Sequence, residues 1–342
     1  MEAPIATFVI LAGGHGERLW PLTSHDNPKH LLPFIDKRSL LEQTVHRIKP
    51  MINDQEQIIV VTNKAHEEKI SELLCNDPVF IVSESAARNT APAILSTCLM
   101  LHKKNPETVV AFLPSDHFIP DKNSFNEYLS RACEYANTHD VFIVLGVKPT
   151  VPATGYGYIA YGAPSKENNS IYPVIAFHEK PSRQRAEQYL TDPCMVWNIG
   201  IFVGKVSTFL HQGYMHAPDL MASLDAYSNG LINYEDIPAV SFDYAIMEKT
   251  RDVVVLPADI VWHDVGNLDS FITLQQKYQK QSSNTIISCN SHDNIAYTSH
   301  KNIAFVGVKN LCLVETDDTL LVISRDDVEY VRNVKAQVEK SE

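Results

Sequence analysis

The 342-residue chain carries 29 Lys and Arg against 41 Asp and Glu, a net charge of −12, with 44% hydrophobic and 20% charged residues. That length suits one large domain or two, and the composition is globular rather than disordered, collagenous or disulfide-stapled. The acidic balance argues against nucleic acid or an anionic membrane as the main partner, since both are held by clustered Lys and Arg, so a phosphate ligand would need basic residues gathered locally.

The six cysteines stand at least 23 residues apart, so there is no CxxC pair for zinc or redox chemistry. They read as reduced thiols of a cytoplasmic protein. Met1-Glu2-Ala3-Pro4 carries an acid where a signal peptide needs a base, and apolar runs such as Val109 to Leu113 are strand-sized, so no membrane span is expected.

In chain order, the pattern predicts strand Ala6 to Leu11, helix Leu40 to Ile48, strand Gln57 to Thr62, helix Ala65 to Leu74, strand Val79 to Val82, helix Ala91 to Leu101 and strand Thr108 to Leu113. Strands alternating with helices of about ten residues indicate an α/β fold, a doubly wound, mostly parallel sheet. After Gly146, turns rich in Gly and Pro surround short strands at Tyr158 to Tyr161 and Val174 to His178, a mixed or antiparallel region. Helix Leu268 to Gln279 runs into the polar segment Gln281 to Asn284, a linker signal. Beyond it, strands Asn302 to Val308, Leu311 to Glu315 and Thr319 to Ile323, then helix Asp326 to Glu339, make a small C-terminal β domain whose short strands resemble β-solenoid rungs. The expected division is a catalytic domain at 1–280 and a β tail at 285–342.

The sharpest motif is Gly13-Gly14-His15-Gly16-Glu17-Arg18-Leu19, directly after the first strand. Glycines at a strand's carboxyl end let consecutive N–H groups cradle a phosphate. Leu19 stands where a GxGxxG loop needs glycine, and the Gly-Lys pair of a Walker A loop is missing. What remains is a glycine nest with Arg18 inside it and Lys29 close behind. Asp116, after the buried strand Val109 to Leu113, and Asp264, after the apolar Val261-Trp262, stand where open α/β sheets place ligands. Two such carboxylates suit Mg²⁺ held mainly by substrate phosphates.

With its Gly13, Gly14, Gly16, Arg18, Leu19, Pro21, Leu22, Thr23, Pro28 and Lys29, this loop resembles the signature of the sugar-nucleotide pyrophosphorylases. Trp20 and Arg88-Asn89-Thr90-Ala91-Pro92-Ala93 mark the mannose branch. Further matches are Leu113 to His117, Thr154 to Ile159, Glu179-Lys180-Pro181, Trp197 to Gly200, Asp243 to Lys249 and Trp262 to Gly266. The resemblance implies a Rossmann-like nucleotidyltransferase fold and Mg²⁺-dependent transfer of GMP from GTP to mannose 1-phosphate, giving GDP-mannose and pyrophosphate. The phosphate apparatus alone leaves open another sugar phosphate or nucleotide, or a non-catalytic regulatory subunit.

Residue by residue, the resemblance assigns Arg18 and Lys29 to neutralising charge, Asp116 and Asp264 to the metal, and Lys180 to the sugar's phosphate. Glu179, Asn198 and Gly155 would contact the sugar. Ala12, Gly13, Gly14, Gly16, Glu84, Arg88, Asn89, Thr90 and Ser115 would bind the nucleotide. Glu84 is the candidate for guanine's N1–H and N2 amino donors, while Arg88 either approaches phosphate or forms a structural pair. The three tryptophans wall a cleft or stack on a sugar. The family also implies a homodimer. Longer members carry an added isomerase domain after the tail, so a single activity is expected here.

Overall fold

The computed structural model describes residues 6–14, 16–52, 58–163, 170–279, 285–298 and 301–338. The Gln281 to Asn284 linker, Gln57 and His15 lie outside them. Strand β1 (Ala6–Ala12) is followed by hairpin β2 (Pro33–Ile35) and β3 (Arg38–Ser39), helix α1 (Leu40–Ile48), β4 (Ile58–Asn63), α2 (Glu67–Leu73), β5 (Phe80–Glu84), α3 (Thr90–His102) and β6 (Val109–Pro114). Next come α4 (Lys122–Thr138), β7 (Phe142–Val147), β8 (Gly157–Tyr161), β9 (Tyr172–His178), α5 (Arg183–Thr191), β10 (Met195–Lys205), α6 (Val206–His216), α7 (Pro218–Ser228) and β11 (Val253–Ala258). Helix α8 (Leu268–Tyr278), strands β12 (Ile286–Cys289), β13 (Ile295–Tyr297), β14 (Ile303–Val306), β15 (Leu311–Glu315) and β16 (Leu320–Ser324), and helix α9 (Val331–Val338) complete the order.

The described residues within 1–13, 44–115 and 119–262 form one compact unit, and those within 14–43, 116–118 and 263–342 a second. The first holds a nine-stranded sheet in the order β5-β4-β1-β6-β10-β7-β11-β9-β8. Strands β5, β4, β1 and β6 run parallel, and β10 enters antiparallel to both β6 and β7. The chain steps outward from β1 to β4 and β5, then returns to β6 on the other side of β1. That reversal is the switch point at whose carboxyl edge α/β sheets bind ligands. Strand β1 is buried along nearly its whole length, as parallel strands covered on both faces are. Val9, Ile59, Val61, Val110 and Phe112 pack against Ile94, Leu95 and Cys98 of α3 and Phe209 and Met221 of α6 and α7.

Several elements between β6 and β11 are absent from the sequence reading, β7, α5, α6 and α7 as well as helix α4 and strand β10. Helix α4 buries Phe125, Leu129, Ala132, Cys133 and Ala136 and is capped by Asp121, whose side chain accepts from Asn123 and Ser124. Strand β10 spans 11 residues and carries Gly200 at φ +66, inside a register shift between Asn198 and Phe202. The expected helix from Ala65 begins instead as a 3₁₀ turn at Lys64–His66, and the one from Asp326 as a 3₁₀ stretch at Arg325–Tyr330.

In the second unit, β12 pairs parallel with β14 and β13 with β15, each residue facing one 17 positions later, Ile286 opposite Ile303 and Ile295 opposite Cys312. Side chains repeat that offset, with Leu311 N donating to Asn294 and Val308 N to Ser291. Parallel pairing without an intervening helix is a solenoid coil, so the tail is β-helix-like. This unit is not the expected 285–342 segment alone. Leu19, Leu32, Phe34, Phe118, Leu268 and Phe271 share one core with Ile295, Cys312, Val314, Val328 and Val331.

Candidate active site

Gly16 has φ +69, the left-handed region where a side chain is strained, and a Cβ there would lie 2.4 Å from Lys29 Cβ. Glycine therefore lets the loop close on Lys29, itself buried at 7% exposure. Lys29 Nζ lies 2.8 Å from Asp116 Oδ2 and donates at 2.8 Å to the Asp264 carbonyl oxygen. One cation thus links two loops distant in sequence. Burial pushes the Asp116 carboxyl up, but Lys29, His117 and His30 together more than offset it and hold it at about 2.

Asp116 follows β6 as expected, whereas Val261-Trp262 is not a strand. Strand β11 ends at Ala258, and the backbone is fixed near Asp264 by an antiparallel bridge between Phe118 and His263. The Phe118 and His263 amides each donate to the other's carbonyl, at 2.9 and 3.0 Å. Asp116, His117 and Asp264 each offer a ligand atom, all within 4.8 Å of one another. Two carboxylate oxygens suit Mg²⁺, and the histidine nitrogen is the less suited donor. A Cβ on Gly266 would meet Asp264 Oδ2 at 2.8 Å and Arg18 Nη1 at 4.0 Å, so the missing side chain leaves room for both. The second unit therefore brings together Gly16, Arg18, Lys29, Asp116 and Asp264.

The first unit holds the other candidates except Gly14, which belongs to the second. Ala12 is buried, with its carbonyl accepting from Thr62 at 3.0 Å, and Ser115 N donates to Leu11 O at 3.1 Å. Glu84, at the end of β5, accepts from the Tyr234 hydroxyl, and its Oε2 lies 3.7 Å from where a Gly13 Cβ would be. Burial pushes its carboxyl up to about 7, against the Tyr234 hydrogen bond that pulls it down. Asn89 caps α3 by accepting from Thr90 N at 2.8 Å, and Thr90 Oγ1 accepts from Phe242 N at 2.8 Å. Arg88 has a buried Nε without a hydrogen-bond partner, and its charge lowers the pKa of Glu235, an effect after those of the Ser85 side chain and Glu235's own backbone.

Around Gly157, a Cβ would lie 2.6 Å from Glu179 Oε2 and 3.3 Å from Asn198 Cβ. Lys180 donates to Glu179 at 2.5 Å and takes φ +45. Asn198 donates to Asp243 at 2.8 Å and accepts from Gly200 N at 2.9 Å. Burial first, then the Glu179 charge, push the Asp243 carboxyl up to about 6, while the Asn198 hydrogen bond pulls it down. Gly155 is exposed, and a Cβ there would have nothing within 4 Å; the same holds for Gly14. Asp243 and Tyr234 have no assigned role in the sequence reading; Asp243 lies inside a matched motif, but its burial beside Glu179 is a tertiary fact. Trp197 packs edge-on to Tyr156 and tilted to Trp262, with ring centres 5.2 and 6.1 Å away, so these rings wall the region.

Residues 7–281 match the nucleotidyl transferase family model, and 284–339 match a β-helix domain described as MannoseP isomerase/GMP-like. A mannose-1-phosphate guanylyltransferase 2 of Escherichia coli O157:H7 is 33% identical over 97% of this chain and 73% of its own length. The chain belongs to the mannose-1-phosphate guanylyltransferase family. The xanthan biosynthesis protein XanB of Xanthomonas campestris is 34% identical over the same shares. A solved structure from Thermus thermophilus, described as a mannose-1-phosphate geranyltransferase, has TM-score 0.86 at 28% identity, over 98% of this chain and 99% of that one. Membership makes the chain a nucleotidyltransferase enzyme with a Rossmann-like core and a β-helix-like tail. No helix among the described residues is long and apolar enough to cross a membrane.

Proposed function

We propose that this enzyme transfers GMP from GTP to α-D-mannose 1-phosphate, with Mg²⁺, releasing GDP-mannose and pyrophosphate. The observation that carries the reading is the cluster of Lys29, Arg18, Asp116 and Asp264 around the glycine loop. Both reactants are anions and a phosphate monoester is already a competent nucleophile, so the protein must supply charge rather than a general base. Asp116 and Asp264 would hold the metal, which when bound neutralises phosphate charge. Gly13, Gly14 and Gly16 would shape the triphosphate loop, and Ala12, Ser115, Arg88, Asn89 and Thr90 would bind the nucleotide. Lys180, whose side chain is 59% exposed, would receive the sugar phosphate, with Glu179, Asn198 and Gly155 on the sugar. The division into 1–280 and 285–342 belongs to the same reading and is supported by the two family-model matches.

The deciding assay follows pyrophosphate release from GTP and mannose 1-phosphate, with and without Mg²⁺, beside panels of other triphosphates and sugar 1-phosphates. Release that needs GTP, mannose 1-phosphate and Mg²⁺ is expected; equal turnover of ATP or glucose 1-phosphate would reject the substrate assignment. Lys180→Ala should raise the Michaelis constant for sugar phosphate by about tenfold or more, the scale of one charge-assisted hydrogen bond. Glu84→Gln tests the base reading separately. It is expected to erode the preference for GTP over ATP, and unchanged selectivity would remove Glu84 from base recognition.

A further inference from the structure

Within the second unit, the tail reaches the signature loop through two ion pairs. Glu329 Oε2 lies 3.5 Å from Arg18 Nε, and Lys335 Nζ lies 3.7 Å from Glu17 Oε1. The other Glu329 oxygen, Oε1, accepts from Asn267 Nδ2 at 2.9 Å. Asn267 caps α8, accepting from Ser270 N at 3.0 Å, and it directly follows Gly266, where Asp264 Oδ2 and Arg18 Nη1 converge. A closed loop of neighbours therefore runs Asp264, Gly266, Asn267, Glu329, Arg18. Glu329 is itself well anchored: Val328 and Val331 are buried beside it, and Arg325 in the same 3₁₀ stretch is paired with Asp269.

Arginine offers five N–H donors in one rigid plane, so fixing its Nε direction fixes where the two terminal nitrogens point. Arg18 Nε is removed from solvent, faces Glu329 across the ion pair, and makes no closer hydrogen bond. The terminal nitrogen Nη1 then lies toward Asp264 and Gly266. We propose that Glu329 is a positioning residue that acts through Arg18, turning its terminal donors toward the metal-binding carboxylate and the phosphates. The tail thereby takes part in the reaction from outside the nucleotidyl transferase segment. The proposal rests on the reading of Arg18 as a charge-neutralising group.

The ion pair is partly solvated, with side-chain exposures of 35% and 59%, so it contributes little to folding and the variants should remain folded. Pyrophosphate release is measured for the full chain and for Arg18→Ala, Glu329→Ala, Glu329→Gln and the Arg18→Ala/Glu329→Ala double variant. Glu329→Ala is expected to lower kcat about tenfold, the scale on which supporting residues act, with the Michaelis constant for sugar phosphate unchanged. Glu329→Gln keeps one acceptor oxygen, drawn to the charged Arg18 Nε, but sets its amide hydrogens against Asn267 Nδ2, so it should recover only part of that loss. In the Arg18→Ala background, Glu329→Ala should add nothing. Wild-type kcat in Glu329→Ala, a faster variant, a loss that glutamine does not restore even in part, or one that multiplies with that of Arg18→Ala overturns the proposal. Near-normal turnover in Arg18→Ala would instead reject the underlying reading of Arg18.

Discussion

Replacing Lys29 with methionine is expected to lower turnover by about 10² or more and to cost about 2 to 3 kcal/mol of folding stability at pH 7. Methionine keeps an unbranched apolar stem against Gly16 and deletes only the ammonium, so the loss isolates charge and hydrogen bonding from packing. Nζ contributes an ion pair to Asp116 and a hydrogen bond to the Asp264 carbonyl, both at 2.8 Å. Breaking a buried pair costs about 3 to 5 kcal/mol because the surviving charge is left without compensation. The Asp116 side chain is 32% exposed, so water recovers part of that cost. The Asp116 carboxylate and the Asp264 backbone also lose their common tether. Urea unfolding and pyrophosphate release give the two readouts. Unchanged values for both would show that Lys29 is a bystander, and a stability loss with full turnover would place it in the fold alone.

The contrast between local and distant pairing explains what the sequence made legible. The glycine loop, Arg18 and Asp116 stand out because close backbone approach and ligand-bearing loops depend on short motifs beside a strand. That Gly16 packs on Lys29, and that Lys29 reaches Asp264 across 235 positions, required the folded chain. Glu84 was legible as a polar residue ending a strand, but its engagement with Tyr234, 150 positions away, was not. Strand β10 hides because Gly200 interrupts its apolar run and reads as a turn, although its left-handed φ serves a bulge inside the sheet. The solenoid repeat was obscured because strands of three to five residues carry little pattern, and only the 17-residue register makes the repeat visible. Glu329 gave no motif signal; its ion pair with Arg18 is purely tertiary.

Asp243→Asn is expected to make the protein more stable at pH 7.5 by about 1 to 2 kcal/mol while weakening sugar-phosphate binding. Burial first and Glu179 second push the Asp243 carboxyl from its ordinary 3.8 up to about 6. Between about pH 4 and 6 the folded protein then binds more protons at this group than the unfolded chain does, so stability falls as pH rises through that window. Above pH 6 the whole cost is present. A shift of about two units corresponds to nearly 3 kcal/mol, reduced here because the side chain keeps some contact with solvent. Asparagine carries no charge to desolvate, and its Oδ1 still accepts from Asn198, so the fold loses little. Its amide hydrogens, however, face the region of Glu179, where they compete with the Lys180 donor for the carboxylate. Competition there should raise the Michaelis constant for mannose 1-phosphate about tenfold, the cost of one misdirected hydrogen bond to a charged group. Glu84, raised to about 7, imposes a slope of the same sign in both proteins, so Asp243's share is the difference between the two stability curves. Parallel curves from pH 4 to 7.5 would show that Asp243 does not titrate in that range. A more stable variant with unaltered sugar-phosphate affinity would mean that this carboxylate is kept for something other than the sugar.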